Sequence, residues 1–387
     1  MQGSEFPAPP TAQGVLDPAD PSAANQAQLA DWLALQASLC LSPVLARKCL
    51  DATGGDPGAA LARSGRGRGV GLEPIRAWIP ELARRGIRAL PLTAPAYPPG
   101  LRALPDPPPL LLVRGEIADL KARAVALVGA RAATRYGRGV AGELAAALAA
   151  AGIVVVSGLA RGIDSAAHRG ALAGAGRTVA ILGCGPDRIY PPEHRELADQ
   201  VAGAGAVVSE LSPGRPPAAP HFPLRNRLIS GLVEAVVVVE ARPRSGSLIT
   251  ARHALDQGRE VLVVPGPIDS PQAAGSNALL RDGARPVLEP RDVFEALASP
   301  FAGAPDPGQI EADEPGAGPS APDAGRIYAA LRAESCDRDA LGRQLEWPPG
   351  RLALGLMELE MEGWVEADRD GRLYAVPARQ RRPGAGP

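Results

Sequence analysis

Two turns of small residues, close together in the sequence, carry polar groups suited to binding an anion. The first turn follows the apolar run VALVGA and holds Gly129 and Arg131; the second follows IVVVSG and holds Ser157, Gly158 and Arg161. An Ala-rich helical pattern comes after each turn. In an α/β fold this order aims free backbone N–H groups and helix N-termini at an anion. The spacing therefore predicts a phosphate-binding crevice at the ends of neighbouring parallel strands.

A third motif, PHFPLRNRLISGL at residues 220–232, places an aromatic ring beside closely spaced polar groups. It contains Phe222, Arg225, Asn226 and Arg227. Such a combination suits single-stranded nucleic acid, because stacking on an aromatic ring contributes about 1–3 kcal/mol per base. The alternative is a helix in which Arg225 and Arg227 pair with acidic neighbours while Phe222 lies in the core.

A fourth motif, ARPRSGSLITARHAL at residues 241–255, follows the apolar run AVVVVE. Its residues Arg244, Ser245, Gly246 and Ser247 stand at a helix start and predict another anion-binding turn. All of these loops follow predicted strands, so they should gather along one edge of a sheet. That convergence is a stronger signal than any single motif.

Several signatures of nucleotide and metal enzymes are missing from the sequence. GARAATRYG does not match the dinucleotide fingerprint GxGxxG, and no GxxxxGK[ST] motif or clustered His, Cys and Asp set is present. Arg131 is either an anion ligand or a surface arginine, Asp164 is either part of the site or only a helix cap, and His168 is expected to be packed rather than catalytic. We therefore predict binding without a cofactor, a metal or a catalytic residue.

The elements that must position these residues are strands that alternate with helices between residues 121 and 298. The strands read VALVG, IVVVSG, TVAILG, AVVSE, AVVVVE, EVLVVPG and RPVLE. Near-continuous runs of Val indicate strands buried on both faces of a parallel sheet. The pattern predicts an α/β fold, a Rossmann-like doubly wound and mostly parallel sheet.

Shorter patterns flank this region. The segment before it reads as short helices, and the segment after it reads as three helices and a hairpin turning at Asp370-Gly371, which is a winged-helix pattern. The predicted organisation is a disordered tail (1–27), a small helical domain (28–96), an extended lead-in with the Rossmann-like DNA-binding domain (97–298), a flexible acidic linker (299–324), a winged helix (325–377) and a second disordered tail (378–387).

Composition bounds the class of protein. The net charge of −1 argues against a purely electrostatic nucleic-acid binder, yet arginines concentrate centrally, and Lys48 and Lys121 are the only lysines. The four cysteines are scattered, which predicts reduced thiols and a cytoplasmic location. No apolar run approaches the roughly 18 residues of a membrane span, so no membrane insertion is expected.

The motifs together resemble the DNA-processing protein A (DprA/Smf) family, in the family's order over roughly residues 97–290. The matching pieces include YPPGLRALPDPPPLLLVRG, VVVSGLARGIDSAAHRGAL, FPLRNRLISGL and RSGSLITARHAL. The resemblance implies a domain that binds single-stranded DNA, dimerises and helps to load RecA recombinase in natural transformation. It assigns the DNA pocket to Arg131, Phe222, Arg225 and Arg227. Many relatives carry a lysine shortly before the Phe; PPAAPHF has none, and Arg215 is the candidate substitute.

Two alternatives stay open. Nucleoside-monophosphate phosphoribohydrolases resemble this fold and carry a PGGxGTxxE-like signature, but Ile249 and Thr250 stand where their catalytic Glu is expected. The winged helix is either a protein-contact module or an accessory DNA binder, because its arginines are offset by glutamates, an acidic balance unsuited to reading a major groove. These residues are Arg338, Arg343, Arg351, Glu346, Glu358, Glu360 and Glu362.

Overall fold

The structure is a computed structural model that describes residues 14–39, 41–65, 75–297, 319, 321–333, 337–367 and 373–375. The chain divides into two compact units, one ending at Ala304 and the other starting at Pro305.

A nine-stranded sheet forms the centre of the first unit, in the order β1-β2-β6-β5-β4-β3-β7-β8-β9. The strands from β3 to β9 are parallel to one another, whereas β2 is antiparallel to both β1 and β6. The predicted doubly wound, mostly parallel sheet is thereby confirmed. The strands are β1 (Ile87–Pro91), β2 (Leu110–Gly115), β3 (Ala124–Val128), β4 (Val154–Ser157), β5 (Thr178–Ile181), β6 (Ala206–Ser209), β7 (Ala235–Val238), β8 (Glu260–Val263) and β9 (Arg285–Pro286).

The apolar runs are continuous because the central strands are buried on both faces. Along β3, Ala126 and Val128 belong to one hydrophobic core, while Val125 and Leu127 belong to the core on the opposite face. This alternation is the two-residue period of a strand.

The strand order reverses beside β3, which lies between β4 and β7. In open α/β sheets, ligands bind in the crevice outside the carboxyl ends of the strands at such a switch point. The loops after β3 and β7 therefore meet where a ligand is expected.

The helices of the first unit cover both faces of the sheet. They are α1 (Ala23–Leu39), α2 (Pro43–Ala52), α3 (Pro57–Arg63), α4 (Trp78–Arg84), α5 (Pro99–Arg102), α6 (Arg135–Ala150), α7 (Ile163–Ala173), α8 (Arg195–Ala204), α9 (His221–Gly231), α10 (Gly246–Asp256), α11 (Ala274–Arg281) and α12 (Pro290–Ala296).

The N-terminal part of the chain differs from the prediction. Leu16 forms a β-bridge with Ala89, and α1 begins at Ala23, so the predicted tail 1–27 is wrong from residue 14 onward. Residues 87–91, predicted as part of a helical domain, form β1 at the edge of the sheet. The helices also share a hydrophobic core with the sheet, so 28–96 is not a separate domain.

A buried amide fixes α1 to the sheet. The Nε2 atom of Gln36 donates to the carbonyl oxygens of Leu110, at 3.1 Å, and Glu210, at 2.6 Å. These partners lie at the start of β2 and just after β6, so one side chain joins three elements.

The second unit has the predicted winged-helix pattern. It contains α13 (Pro322–Ala333), α14 (Arg338–Leu345), α15 (Pro349–Met361) and an antiparallel pair, β10 (Val365–Ala367) and β11 (Leu373–Ala375). The predicted linker 299–324 extends too far, because α13 starts at Pro322. Residues 298–318, the turn at Asp370-Gly371 and the predicted tail 378–387 lie outside the described residues.

Two further observations concern the predicted cellular setting. Cys49 and Cys184 are buried free thiols, whereas the other two cysteines lie outside the described residues. Among the helices described, none has the length and apolar character needed to cross a membrane.

Candidate nucleic-acid interface

A cleft of about 750 Å³ opens at the switch point of the sheet. Its walls come from the loops after β3 and β7 and from the first turns of α9 and α10. Nine of the residues predicted from the sequence line it: Gly129, Arg131, Phe222, Arg225, Asn226, Arg244, Ser245, Gly246 and Ser247. The predicted convergence of the loops is therefore what the structure shows, although the roles of the individual side chains differ.

Arg131 and Phe222 form a cation–π pair in the cleft. The guanidinium carbon of Arg131 lies 4.9 Å from the centre of the Phe222 ring, and the Tyr190 ring lies 5.7 Å away at a tilt of 44°. Phe222 is half-buried and rests on Gly183, where a Cβ atom would lie 2.8 Å from its Cδ1. No salt bridge to Arg131 occurs among the described residues, so its charge is available to a ligand.

The first glycine turn does not offer its helix to an anion. The buried carboxylate of Glu240 accepts hydrogen bonds from the backbone N–H of Thr134, at 2.9 Å, and from the Thr134 hydroxyl. Thr134 in turn caps α6 by accepting from the N–H of Gly137 at 3.0 Å. A protein carboxylate thus occupies the positive end of α6, which corrects the prediction that this helix start binds phosphate.

The second glycine turn is also satisfied internally. The Oδ2 atom of Asp164 accepts from the N–H groups of Gly158, at 3.1 Å, and Ala160, at 3.3 Å. Burial raises the pKa of Asp164, against the opposing charge of Arg225. Ser157 is fully buried and donates to the carbonyl oxygen of Leu127 at 2.7 Å. The predicted phosphate contacts of Ser157 and Gly158 are therefore replaced by contacts within the protein.

The backbones of the two turns are in close contact at Gly162. Gly162 has a φ of +77°, and a Cβ atom there would lie 2.6 Å from the carbonyl oxygen of Arg131. The next residue, Ile163, donates its N–H to the carbonyl oxygen of Ala130 at 3.2 Å. Only glycine fits both the left-handed backbone and this approach, so the motif fixes the position of Arg131.

Arg225 lines the cleft but is held from within. The residue is 4% exposed, and its Nη1 donates to the carbonyl oxygens of Gly158, at 3.0 Å, and Ile181. Burial lowers its pKa, against the favourable charge of Asp164. Because its guanidinium ties α9 to the ends of β4 and β5, Arg225 positions Phe222, which lies one turn earlier on α9.

Arg227 lies in the interior, outside the lining of the cleft. It pairs with Glu210 and with Asp106, each at 2.7 Å. Burial raises the pKa of Glu210, and the charge of Arg227 opposes that shift. For Arg227 the structure therefore favours the alternative of pairing with acidic neighbours. Asn226 is also structural in part, since its Nδ2 donates to the carbonyl oxygen of Gly246 at 3.0 Å.

The loop after β7 supplies the remaining positive charge. Arg242 and Arg244 are exposed, line the cleft and form no salt bridge within the described chain. Arg244 has a φ of +66°, a conformation that costs a side-chain-bearing residue of order 1–3 kcal/mol. Ser245 caps α10, accepting from the N–H of Ser247 at 3.4 Å. Helices α6 and α10 therefore both have a hydroxyl cap, but at the start of α6 the capping Thr134 is also hydrogen-bonded to the carboxylate of Glu240.

Comparison with known proteins identifies the family of this chain. The family model described as DNA recombination-mediator protein A matches residues 88–298, and that of the DprA winged helix domain matches residues 311–371. The chain belongs to the DprA/Smf family. Protein Smf of Escherichia coli is 40% identical over 279 residues, covering 72% of this chain and 75% of the relative.

Other DprA proteins give the same result. DprA of Bacillus subtilis is 41% identical over 231 residues, covering 58% of this chain and 78% of its own length. The crystal structure of DprA from Streptococcus pneumoniae superposes with a TM-score of 0.61 at 31% identity, covering 69% of this chain and 97% of that one. Family membership gives this chain a recombination-mediator role in DNA processing and does not favour the phosphoribohydrolase alternative.

Within this DprA fold, three sequence expectations change. Arg215, the candidate substitute for the lysine of many relatives, does not line the cleft. Arg242 was missed by the sequence analysis, although it stands in the same turn as Arg244, two residues earlier. Arg161 pairs with Glu193 at 2.5 Å, both side chains being exposed, and lies in a small recess beside Arg131.

Thr250 and His168 bear on the enzymatic alternatives; the first lines the cleft and the second is packed in the interior. Thr250, one of the two residues at the position expected for the phosphoribohydrolase Glu, is buried and lines the cleft. His168 is fully buried, with its Nδ1 2.7 Å from Thr178 Oγ1, and burial lowers its pKa to about 3. His168 is therefore packed, as expected from its place inside a helix.

Proposed function

We propose that this chain binds single-stranded DNA in the cleft, protects incoming DNA and helps to load RecA recombinase in natural transformation, without catalysis of its own. One observation carries the proposal. Arg131 lies over a half-buried aromatic ring at the switch point, Arg242 and Arg244 line the same cleft, and none of the three has a carboxylate partner among the described residues.

The arrangement suits a flexible strand. Guanidinium groups bind phosphate through paired N–H donors, and the start of α10 adds backbone N–H groups. The guanidinium group of Arg131 lies over the Phe222 ring. When Arg131 turns to bind a phosphate of the strand, the ring is free to stack on a base. Phosphates held inside a cleft at separate points require a backbone that bends, which favours single strands over duplex DNA.

A nucleotide cofactor fits this cleft poorly. The helix starts after β3 and β4, where a Rossmann-like fold would hold a nucleotide's phosphates, are occupied by Glu240 and Asp164. Bringing a phosphate there would set it against a carboxylate. This supports the proposals that the chain needs no cofactor and that its role is binding.

Homodimerisation through the Rossmann-like domain and RecA as the partner follow the family resemblance, and a cytoplasmic location follows the scattered cysteines. They belong to the same proposal, and light scattering on the purified chain tests the first of them. A monomer at micromolar concentration would remove dimerisation from the proposal and leave the DNA cleft unaffected.

The cleft is tested by Arg131→Ala combined with Arg244→Ala. Fluorescence anisotropy with a labelled oligothymidine should show affinity reduced at least tenfold. The slope of log affinity against log salt should decrease in magnitude by about 1.4, because each phosphate contact on a single strand contributes about 0.7.

The matched control is Arg169→Ala combined with Arg195→Ala. These arginines are exposed on α7 and α8 and do not line the cleft, so the net charge changes equally. Circular dichroism checks that both proteins fold. If the cleft variant binds like the wild type, or both variants weaken equally, the cleft assignment is wrong. Release of base from AMP would restore the phosphoribohydrolase alternative.

A further inference from the structure

The third helix of the second unit, α15, is apolar on two opposite faces. Its inner face buries Leu352, Gly355, Leu356 and Leu359 in the core of that unit. Its outer face carries Leu354, Met357 and Met361, exposed by 72%, 59% and 68%. The spacing i, i+3, i+7 places these three side chains in one row along the helix.

Such a row is unusual for a surface without a partner. Single exposed apolar residues are normal, but contiguous ones mark interaction sites. In the described part of the second unit, every large hydrophobic side chain that is exposed lies in this row. Two of the three are methionines, whose flexible thioethers adapt to a partner's surface. We call Leu354, Met357 and Met361 the outer row.

The charges beside the outer row argue against DNA as its ligand. Glu358 and Glu360 are exposed and flank the row on its two sides. Each residue of a helix is rotated by about 100° from the one before it, and Glu358 follows Met357 whereas Glu360 precedes Met361. The one arginine of α15, Arg351, is bound to Asp323 at 2.7 Å and lies 4.3 Å from the centre of the Trp347 ring. On α15 itself, a phosphate backbone would therefore meet carboxylates and an arginine that already has a carboxylate partner.

The same charges argue against a second copy of this chain. Packing two outer rows together would bring Glu358 and Glu360 of one copy close to those of the other, and like charges in contact destabilise an interface. A convex helical row also needs a concave receptor, as in helix-in-groove recognition. Shape and charge both point to a different protein as the occupant.

We propose that the outer row of α15 docks into an apolar groove of a partner protein whose rim carries Lys or Arg. The winged helix then recruits a protein through the helix that would read a major groove in a DNA-binding relative of this fold. The proposal does not depend on the cleft of the first unit, since none of its residues belongs to that unit.

A photo-crosslinking benzophenone side chain in place of Leu354, in the full chain and in cells of the source organism, tests this. The expected result is a crosslink to another protein, mapped by mass spectrometry to an apolar groove edged by Lys or Arg. Met357→Gln with Met361→Gln, and separately Glu358→Lys with Glu360→Lys, should each reduce the yield at least tenfold.

The control places the same group at Gln344, an exposed residue of α14. The reporter at position 344 should not give the crosslink, and circular dichroism should show that all variants fold. Crosslinks to a second copy, to another part of this chain or to DNA would each overturn the proposal. So would a missing crosslink, or a partner site without basic residues.

Discussion

The arginines of this chain serve three physical roles that residue type alone does not separate. Arg131, Arg242 and Arg244 are exposed in the cleft, Arg161 forms an exposed ion pair, and Arg227 is buried between two carboxylates. Free guanidinium groups bind ligands, whereas a buried one stabilises the fold. The FPLRNR motif therefore contributes its ring to the proposed DNA site, and its arginines mainly hold α9, the helix that carries the ring.

Arg227→Ala should lower the free energy of unfolding by about 3–5 kcal/mol, because it leaves Glu210 buried without its counter-charge. Arg161→Ala is the control: its pair with Glu193 is exposed on both sides, and exposed pairs contribute little to stability because solvent screens them. Urea titration of the two variants measures the difference. Equal effects would show that burial does not set the contribution of these arginines.

His168 should make stability depend on pH. Its pKa of about 3 in the folded protein lies below the ordinary 6.5 because of burial, with the charges of His194 and Arg225 acting in the same direction. The unfolded chain therefore binds the extra proton first. The contribution of His168 is complete above pH 6.5 and is lost as pH falls toward 3, by up to about 1.4 kcal/mol per pH unit.

Unfolding by urea at pH 5.0, 5.5, 6.0 and 6.5 measures this slope. His168→Gln should remove it, while the raised pKa values of Asp164 and Glu210 act on both proteins alike and cancel in the comparison. The same slope in wild type and variant would contradict the assignment to His168.

At the scale of elements, the sequence predicted what depends on local pattern and missed what depends on distant partners. The strands β3 to β8 follow from continuous Val-rich runs, because burial on both faces leaves few polar positions. The strand β1 was missed, since its register is set by β2, and Leu16 joins the sheet only through Ala89. A lone bridging residue and an antiparallel edge strand carry no periodicity of their own.

Two glycines of helix α6 allow a test of whether Glu240 packs against the start of this helix. Gly137→Ala should destabilise the protein by about 1–3 kcal/mol, because the new Cβ would clash with the carboxylate of Glu240. Gly139→Ala, two residues later, meets no atom within 4 Å and should stabilise by up to about 1 kcal/mol through helix propensity. Thermal melts measure whether each substitution raises or lowers the melting temperature. A higher melting temperature for Gly137→Ala would contradict the contact with Glu240.

At the scale of the whole molecule, the position of the proposed site in the fold was predictable from the sequence, whereas its individual side-chain contacts were not. Loops that follow parallel strands must meet at one edge, and this brought Gly129, Phe222 and Ser245 together. Which backbone N–H groups stay free depends on Glu240 and Asp164, whose side chains turn back into the fold. Nothing in the local sequence around Glu240 indicates that it closes a helix more than a hundred residues earlier.

The two units should unfold independently, because each has a core of its own. The core of the second unit is built from residues between Ala324 and Leu373, and the cores of the first from residues between Val15 and Leu297. Hydrophobic stabilisation is therefore local to each unit. Calorimetry of the full chain should show two transitions, and a chain ending at Ala304 should keep one of them unchanged.

The shortened chain should also bind oligothymidine as tightly as the full chain, since every residue that lines the cleft belongs to the first unit. Anisotropy at matched salt measures this. A single calorimetric transition in the full chain would show that the units are energetically coupled. Weaker binding by a folded shortened chain would instead place part of the DNA contact in the second unit. That result would conflict with the acidic residues beside the outer row of α15.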